Sequence, residues 1–219
     1  MSDIFQEVDE EVRREKLKQL WDRYSGVIIA VMLVVVLGVA GWRGYQWWEA
    51  KKSAEAGAAF EAAQALSQEG KHAEAAAAFA KVAAEGTSGY RVLARFREAA
   101  ELARSDKAAA VKVYDEIAAM PSAGPVLQDL AHVRAGLLLV DTAPLAELTR
   151  RLEPLTARER PFRHTARELL AFAAWRAGDS GAAKRWYDVI TTDADTPEST
   201  RSRVEVLMAL GAGAKGRGG

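Results

Sequence analysis

The chain has 219 residues, and its 30 lysine and arginine residues balance its 30 aspartate and glutamate residues, so the formal net charge is zero. This balance, together with the lack of any basic run interleaved with aromatic residues, argues against a nucleic-acid partner. The sequence contains no cysteine, which excludes disulfides, thiolate metal sites and cysteine nucleophiles.

Residues 1–23 are predicted to form an amphipathic helix, because they contain few helix breakers and two separate apolar stripes. The first stripe is surrounded by acidic residues and consists of Phe5, Val8 and Val12. We interpret it as a candidate docking site for a cytoplasmic protein. The second stripe, which includes Leu17, is expected to lie on the membrane surface.

Residues 24–42 form an uncharged and mostly aliphatic segment. At about 1.5 Å of rise per residue, a helix of this length reaches about 28 Å, close to the roughly 30 Å hydrocarbon core of a bilayer. Aromatic rings favour the headgroup layer, and they stand at both ends of the segment: Trp21, Tyr24, Trp42, Tyr45, Trp47 and Trp48. The pattern predicts a single transmembrane anchor in contact with membrane lipid.

Two other interpretations of this segment fit less well. A signal peptide has a short basic leader, whereas 23 residues of mixed charge come first here, although the small residues Gly38-Val-Ala40 resemble a cleavage site. A buried core helix would show a polar side, and this segment carries no charge on any side. Because of this resemblance, a cleaved signal peptide stays open as an alternative to the anchor.

Basic residues are more numerous before the anchor than directly after it. Five precede it and three follow it closely: Arg13, Arg14, Lys16, Lys18 and Arg23, then Arg43, Lys51 and Lys52. Because basic residues resist translocation, this asymmetry favours a cytoplasmic N-terminus. The helix of residues 1–23 would then be cytoplasmic, and the rest of the chain after the anchor would lie outside the cytoplasm.

The remaining chain is interpreted as a juxtamembrane segment (43–53), one helical domain (54–210) and a disordered tail (211–219). No window of the domain shows the alternating β-branched runs that are typical of strands, so the predicted fold class is all-α. The tail is rich in glycine and has nothing to bury.

Three segments of the domain align without gaps and begin at Gly70, Ser105 and Gly178. Each has an alanine five residues on, an aromatic nine on and an aliphatic twelve on: Ala75, Phe79 and Val82; Ala110, Tyr114 and Ile117; Ala183, Tyr187 and Ile190. Residues 142–155 supply a degenerate fourth unit between the second and the last. A period near 34 to 37 residues is typical of tetratricopeptide repeats, so we predict an α-solenoid of about four such hairpins.

Alanine dominates the first of these hairpins. Fifteen of the 32 residues in the range 54–85 are alanine, which favours helix formation but offers little apolar area for packing. We therefore expect weak packing in this hairpin, and a smaller cost for truncating Phe79 than for truncating Tyr187.

The sequence offers no constellation for catalysis. Its three histidines, His72, His132 and His164, never stand at metal-ligand spacing, and His72 is expected to be a solvated turn residue. There is no glycine-rich phosphate loop, nucleophile elbow or two-histidine zinc motif. We predict a non-enzyme with no cofactor, no metal and no small-molecule substrate.

The last hairpin carries the candidate partner-binding residues. In tetratricopeptide arrays the first helix of each hairpin lines the concave face, and the register from Gly178 places Glu168, Phe172, Trp175 and Arg176 there. Alternatively, the two aromatic residues pack beneath a C-terminal helix over residues 198–210, which would cap the array.

The whole arrangement resembles the YfgM-like family of bacterial inner-membrane proteins, which are ancillary subunits of the Sec translocon. The resemblance is carried by residues 10–24, by Gly41-Trp-Arg-Gly-Tyr-Gln-Trp-Trp48, by Arg151-Leu-Glu-Pro-Leu155 and by Ala173-Ala-Trp-Arg-Ala-Gly-Asp179. It implies an inner-membrane protein with a periplasmic domain that works beside the translocon, together with membrane-anchored chaperones of the peptidyl-prolyl isomerase type. An adaptor in another inner-membrane complex, such as cell division or envelope-stress regulation, is the alternative.

Overall fold

The computed structural model describes the backbone of residues 3–215 and the side chains of residues 13–19 and 21–210. In this part of the chain there are nine α-helices and no strands, which confirms the all-α prediction. The helices are α1 (Asp3–Gln68), α2 (His72–Glu85), α3 (Ser88–Leu102), α4 (Lys107–Ala118), α5 (Gly124–Leu139), α6 (Leu145–Leu152), α7 (Arg163–Arg176), α8 (Ser180–Thr192) and α9 (Glu198–Lys215). Helix α9 thus runs into the segment predicted to be a tail, and residues 216–219 lie outside the described range.

The chain divides into two compact units, residues 1–52 and residues 53–219. The first unit is the N-terminal part of α1, which contains a stretch long and apolar enough to cross a membrane. None of that stretch is buried, and side chains such as Val34 and Leu37 are each 69% exposed. At its end, the ammonium groups of Lys51 and Lys52 lie 5.7 and 4.1 Å from the ring centroids of Trp47 and Trp48.

The second unit is a row of helical hairpins. The C-terminal part of α1 packs against α2. The next hairpins are α3–α4, α5–α6 and α7–α8, and α9 packs on both helices of the last hairpin. Glycines with positive φ stand in the first and last hairpin turns, where Gly70 has φ +78° and Gly178 has φ +74°. The predicted solenoid of about four hairpins is confirmed.

The repeat positions are buried as the register predicts, with one correction. Ala75 and Ala110 are completely buried, as is Phe79, and Tyr114 is 4% exposed. In the last hairpin, however, the buried aromatic is Trp186, which is 7% exposed, and the neighbouring Tyr187 is only partly buried. The alanine and the aliphatic residue of the α8 repeat are buried as predicted, so only the aromatic position differs from the register.

The domain has three separate apolar cores. The first lies between α1, α2 and α3 and includes Phe79 and Val82. The second lies between α3, α4 and α5 and includes Tyr114 and Ile117. The third and largest joins α5 to α9. A row of local cores follows from a repeat architecture, in which each hairpin buries its apolar side against the next.

The first hairpin is held by more than its alanines. The ring centroid of Phe60 lies 5.1 Å from that of Phe79 and 5.8 Å from that of Tyr90, so aromatic contacts join α1, α2 and α3. The buried carboxylate of Glu101 accepts a hydrogen bond from Ser67 Oγ at 2.6 Å and lies 2.7 Å from His72 Nδ1. His72 is therefore not a solvated turn residue, because it forms a link between helices.

Candidate interaction surface on helices α7 and α9

Helix α7 is the most enclosed helix of the domain, because α6, α8 and α9 all pack on it. Its side chains from Ala166 to Ala171 are all buried. Three of the four predicted surface residues, Glu168, Phe172 and Trp175, follow each other at intervals of four and three and so share one face of this helix.

Glu168 is already paired within the domain. Its two carboxylate oxygens accept hydrogen bonds from Arg203 of α9, at 2.5 Å from Nε and 2.9 Å from Nη2. Glu168 is only 7% exposed, and its hydrogen bonding raises the pKa of the Arg203 guanidinium. The pair therefore fixes the position of α9 on α7 and leaves no free carboxylate for a partner.

Phe172 lies at the base of a groove between α7 and α9. The groove has a volume of about 390 Å³, and α9 supplies its other walls, namely Ser202, Arg203, Val206, Leu207 and Leu210. Phe172 is partly buried against the third core, whereas Val206 and Leu210 are each 61% exposed. A terminal helix that caps the array thus leaves an open apolar face beside the ring of Phe172.

Trp175 lies one turn further along the same face of α7 and is 43% exposed. A ring that served only to pack beneath α9 would be covered, so the alternative interpretation fits Phe172 better than Trp175. The exposed ring extends the apolar surface along α7 beyond the groove.

Arg176 has a different role from the other three. Its guanidinium donates hydrogen bonds to the backbone carbonyl of Asp141, at 2.9 Å, and to that of Ala143. Both carbonyls belong to the turn between α5 and α6. Arg176 therefore holds this turn against the end of α7. It does not line the groove between α7 and α9.

The N-terminal stripe of Phe5, Val8 and Val12 falls within α1, but the side chains of these residues lie outside the described ones. Its role as a cytoplasmic docking site stays a prediction.

The surroundings of His132 and His164 give no sign of a catalytic or metal-binding role. Burial, aided by neighbouring arginines, lowers the pKa of His132 and of His164, so both favour the neutral form. His164 Nδ1 lies 3.2 Å from Thr196 Oγ1. Within the described residues, no group of three or more histidine, aspartate or glutamate side chains is arranged to hold a metal ion.

Comparison with known proteins gives one family. The family model described as "Tetratricopeptide repeat-like domain" matches residues 18–208 of the chain. No curated protein and no solved structure matches it significantly.

Proposed function

Because the chain belongs to the tetratricopeptide repeat-like domain family, we propose that it is a membrane-anchored scaffold that uses the groove between α7 and α9 to bind a protein partner. Domains of this kind are typically interaction modules without catalytic activity. The observation that carries the proposal is the apolar face of α9, where Val206 and Leu210 remain exposed beside Phe172. Such a face fits the apolar side of an amphipathic helix.

The proposed anchor is the segment 24–42, with residues 1–23 in the cytoplasm and the helical domain in the periplasm. The uncharged exposed stretch of α1 and the excess of basic residues before it support this topology. The proposed partners are the Sec translocon and a membrane-anchored periplasmic chaperone, so that the scaffold assists newly translocated proteins. This part of the proposal rests on the resemblance to the YfgM-like family.

The topology predicts a specific proteolysis pattern. In intact spheroplasts, protease added outside should remove the domain after Trp48 and spare the segment 1–23, because only the former is accessible. Immunodetection of tags at the two ends measures this. Full protection of the domain would contradict the orientation, and a soluble form beginning near Gly41 would establish cleavage instead of anchoring.

The groove predicts a position-specific crosslink. A photo-reactive amino acid at Leu210 should crosslink in native membranes to a protein that carries an amphipathic helix. The matched control is the same substitution at Leu93 of α3, which is 53% exposed and lies outside the groove, whereas Leu210 is 61% exposed. Identical adducts at the two positions, or none at Leu210, would contradict binding at the groove. Mass spectrometry of the adducts tests whether the partner belongs to the translocon.

A further inference from the structure

A second cavity lies at the other end of the domain, between α2 and α3. It has a volume of about 280 Å³. One wall is built from small side chains and the opposite wall carries two carboxylates: Ala73, Ala76, Ala77 and Ala80, then Glu98 and Glu101. We call this cavity the alanine cleft. It shares none of its lining residues with the groove between α7 and α9.

The two carboxylates of the alanine cleft differ in their hydrogen bonding. Glu101 is fully engaged by Ser67 and His72, and Arg104 Nε lies 3.9 Å from its Oε2. Although burial alone would raise it, these neighbours hold the pKa of Glu101 below its ordinary value. This carboxylate has no need of a further cation.

Glu98 is left with a poor partner. Only 9% of the residue is exposed, yet its closest cation is Arg95, whose Nη1 lies 3.5 Å from Oε2. The same Arg95 nitrogen lies closer to Glu116, at 3.1 Å. Among the described residues, the hydrogen bond from Arg95 goes to Oε2 and none goes to Oε1, which belongs to a side chain that is 12% exposed. Burial outweighs the weak contact with Arg95 and raises the pKa of Glu98.

We propose that the alanine cleft binds a lysine side chain of a partner protein, with the methylene stem along the alanine wall and the ammonium group at Glu98 Oε1. Small side chains leave room for an unbranched stem, which gains apolar contact while its charged end reaches the carboxylate. A single free oxygen suits the compact ammonium of lysine better than the guanidinium of arginine, which favours two oxygens at once. The inference rests on the proposed protein-binding function and names the chemistry of a second contact.

Carboxylate NMR of the full chain in lipid nanodiscs tests the proposal. The probe is Nα-acetyl-lysine N-methylamide, and the matched neutral probe is the norleucine analogue, which has the same stem without the ammonium group. The lysine probe should lower the pH midpoint of the Glu98 signal by about 1, because a cation at this distance favours the charged carboxylate. The norleucine probe should leave it unchanged. Loss of the signal in Glu98→Gln assigns it.

Two variants of α2 control for the cleft itself. Ala77→Leu fills the cleft from an exposed position and should abolish the lysine-induced shift while Glu98 still titrates. Ala84→Leu lies on the same helix outside the cleft and should preserve the shift. The proposal is overturned if the norleucine probe acts like the lysine probe, if no probe shifts Glu98, or if the shift survives in Ala77→Leu. An equal or larger shift from the arginine analogue would overturn the choice of lysine.

The two sites can fail separately. If the lysine probe does not bind but the crosslink at Leu210 forms, only the proposal for the alanine cleft is contradicted. A missing crosslink with intact lysine binding would instead contradict the groove.

Discussion

Replacement of Phe79 by alanine is expected to lower the free energy of unfolding of the helical domain by about 3–5 kcal/mol. The ring is completely buried, and its centroid lies 5.1 Å from that of Phe60. Its removal leaves a cavity in the first core and also ends an aromatic contact between α1 and α2. Equilibrium unfolding by urea, followed by circular dichroism, measures the change.

The control for this prediction is Tyr187→Ala. Because Tyr187 is only partly buried, its loss should cost clearly less than the loss of Phe79. This reverses the order that the alanine-rich sequence suggests. A cost for Phe79→Ala equal to or below that for Tyr187→Ala would mean that the alanine-rich hairpin collapses around the missing ring.

Arg167→Met should be the most damaging charge substitution, with a loss of about 3 kcal/mol in the free energy of unfolding. Arg167 is 7% exposed, and its guanidinium donates to Asp193 Oδ2 at 2.6 Å and twice to the carbonyl of Thr156, at 3.1 and 2.8 Å. Methionine preserves much of the stem but removes all three hydrogen bonds, so the carbonyl of Thr156 and Oδ2 of Asp193 lose their closest donor. Urea unfolding at neutral pH measures the loss.

The effect of Arg167→Met should depend on pH. Hydrogen bonds from Arg167 and from the Asp195 amide lower the pKa of Asp193 to about 2, from an ordinary value of 3.8. The carboxylate therefore contributes stability that is present above pH 3.8 and is lost as the pH falls towards 2. In the variant this contribution is weakened, so the difference from the wild type should shrink over that range.

Arg163→Met is the matched control for Arg167→Met. Arg163 lies one turn earlier, and its closest partner is Asp195 at 3.0 Å, whose side chain is 60% exposed. Its contact with Asp193 is longer, with Nε 3.7 Å from Oδ2. Because the closer carboxylate is solvated and the contact with Asp193 is long, we expect a loss of about 1 kcal/mol or less. Equal losses in the free energy of unfolding would mean that the buried contacts of Arg167 contribute no more than the solvated pair of Arg163.

The repeat register could be predicted from the sequence because the positions of alanine and the aromatic residue restrict how helices approach each other. The register succeeds at Phe79 and Tyr114, where one aromatic residue stands in each second helix. In the last hairpin its alanine and aliphatic positions are buried as predicted, but the aromatic position is wrong. There the more deeply buried ring is Trp186, directly beside Tyr187. The local pattern does not indicate which of two adjacent rings is the more deeply buried in the third core.

The candidate surface was predictable only in part, because its charged residues have distant partners. Glu168 pairs with Arg203, which is 35 residues away, and Arg176 reaches carbonyls 33 and 35 residues before it. The helical spacing of Phe172 and Trp175 correctly places them on one face, but it does not reveal that α9 forms the opposite wall of a groove. Similarly, a histidine in a hairpin turn gives no sign of the glutamate that His72 meets on α3.

The three separate cores allow the two proposed contact sites to be lost or altered one at a time. Leu102, which lines the alanine cleft, packs against the second core, whereas Phe172 packs against the third core. A substitution that loosens one end of the row need not reshape the other, because each hairpin contacts only its neighbours. The domain could therefore exchange one binding partner for another during evolution without rebuilding the surface that holds the second.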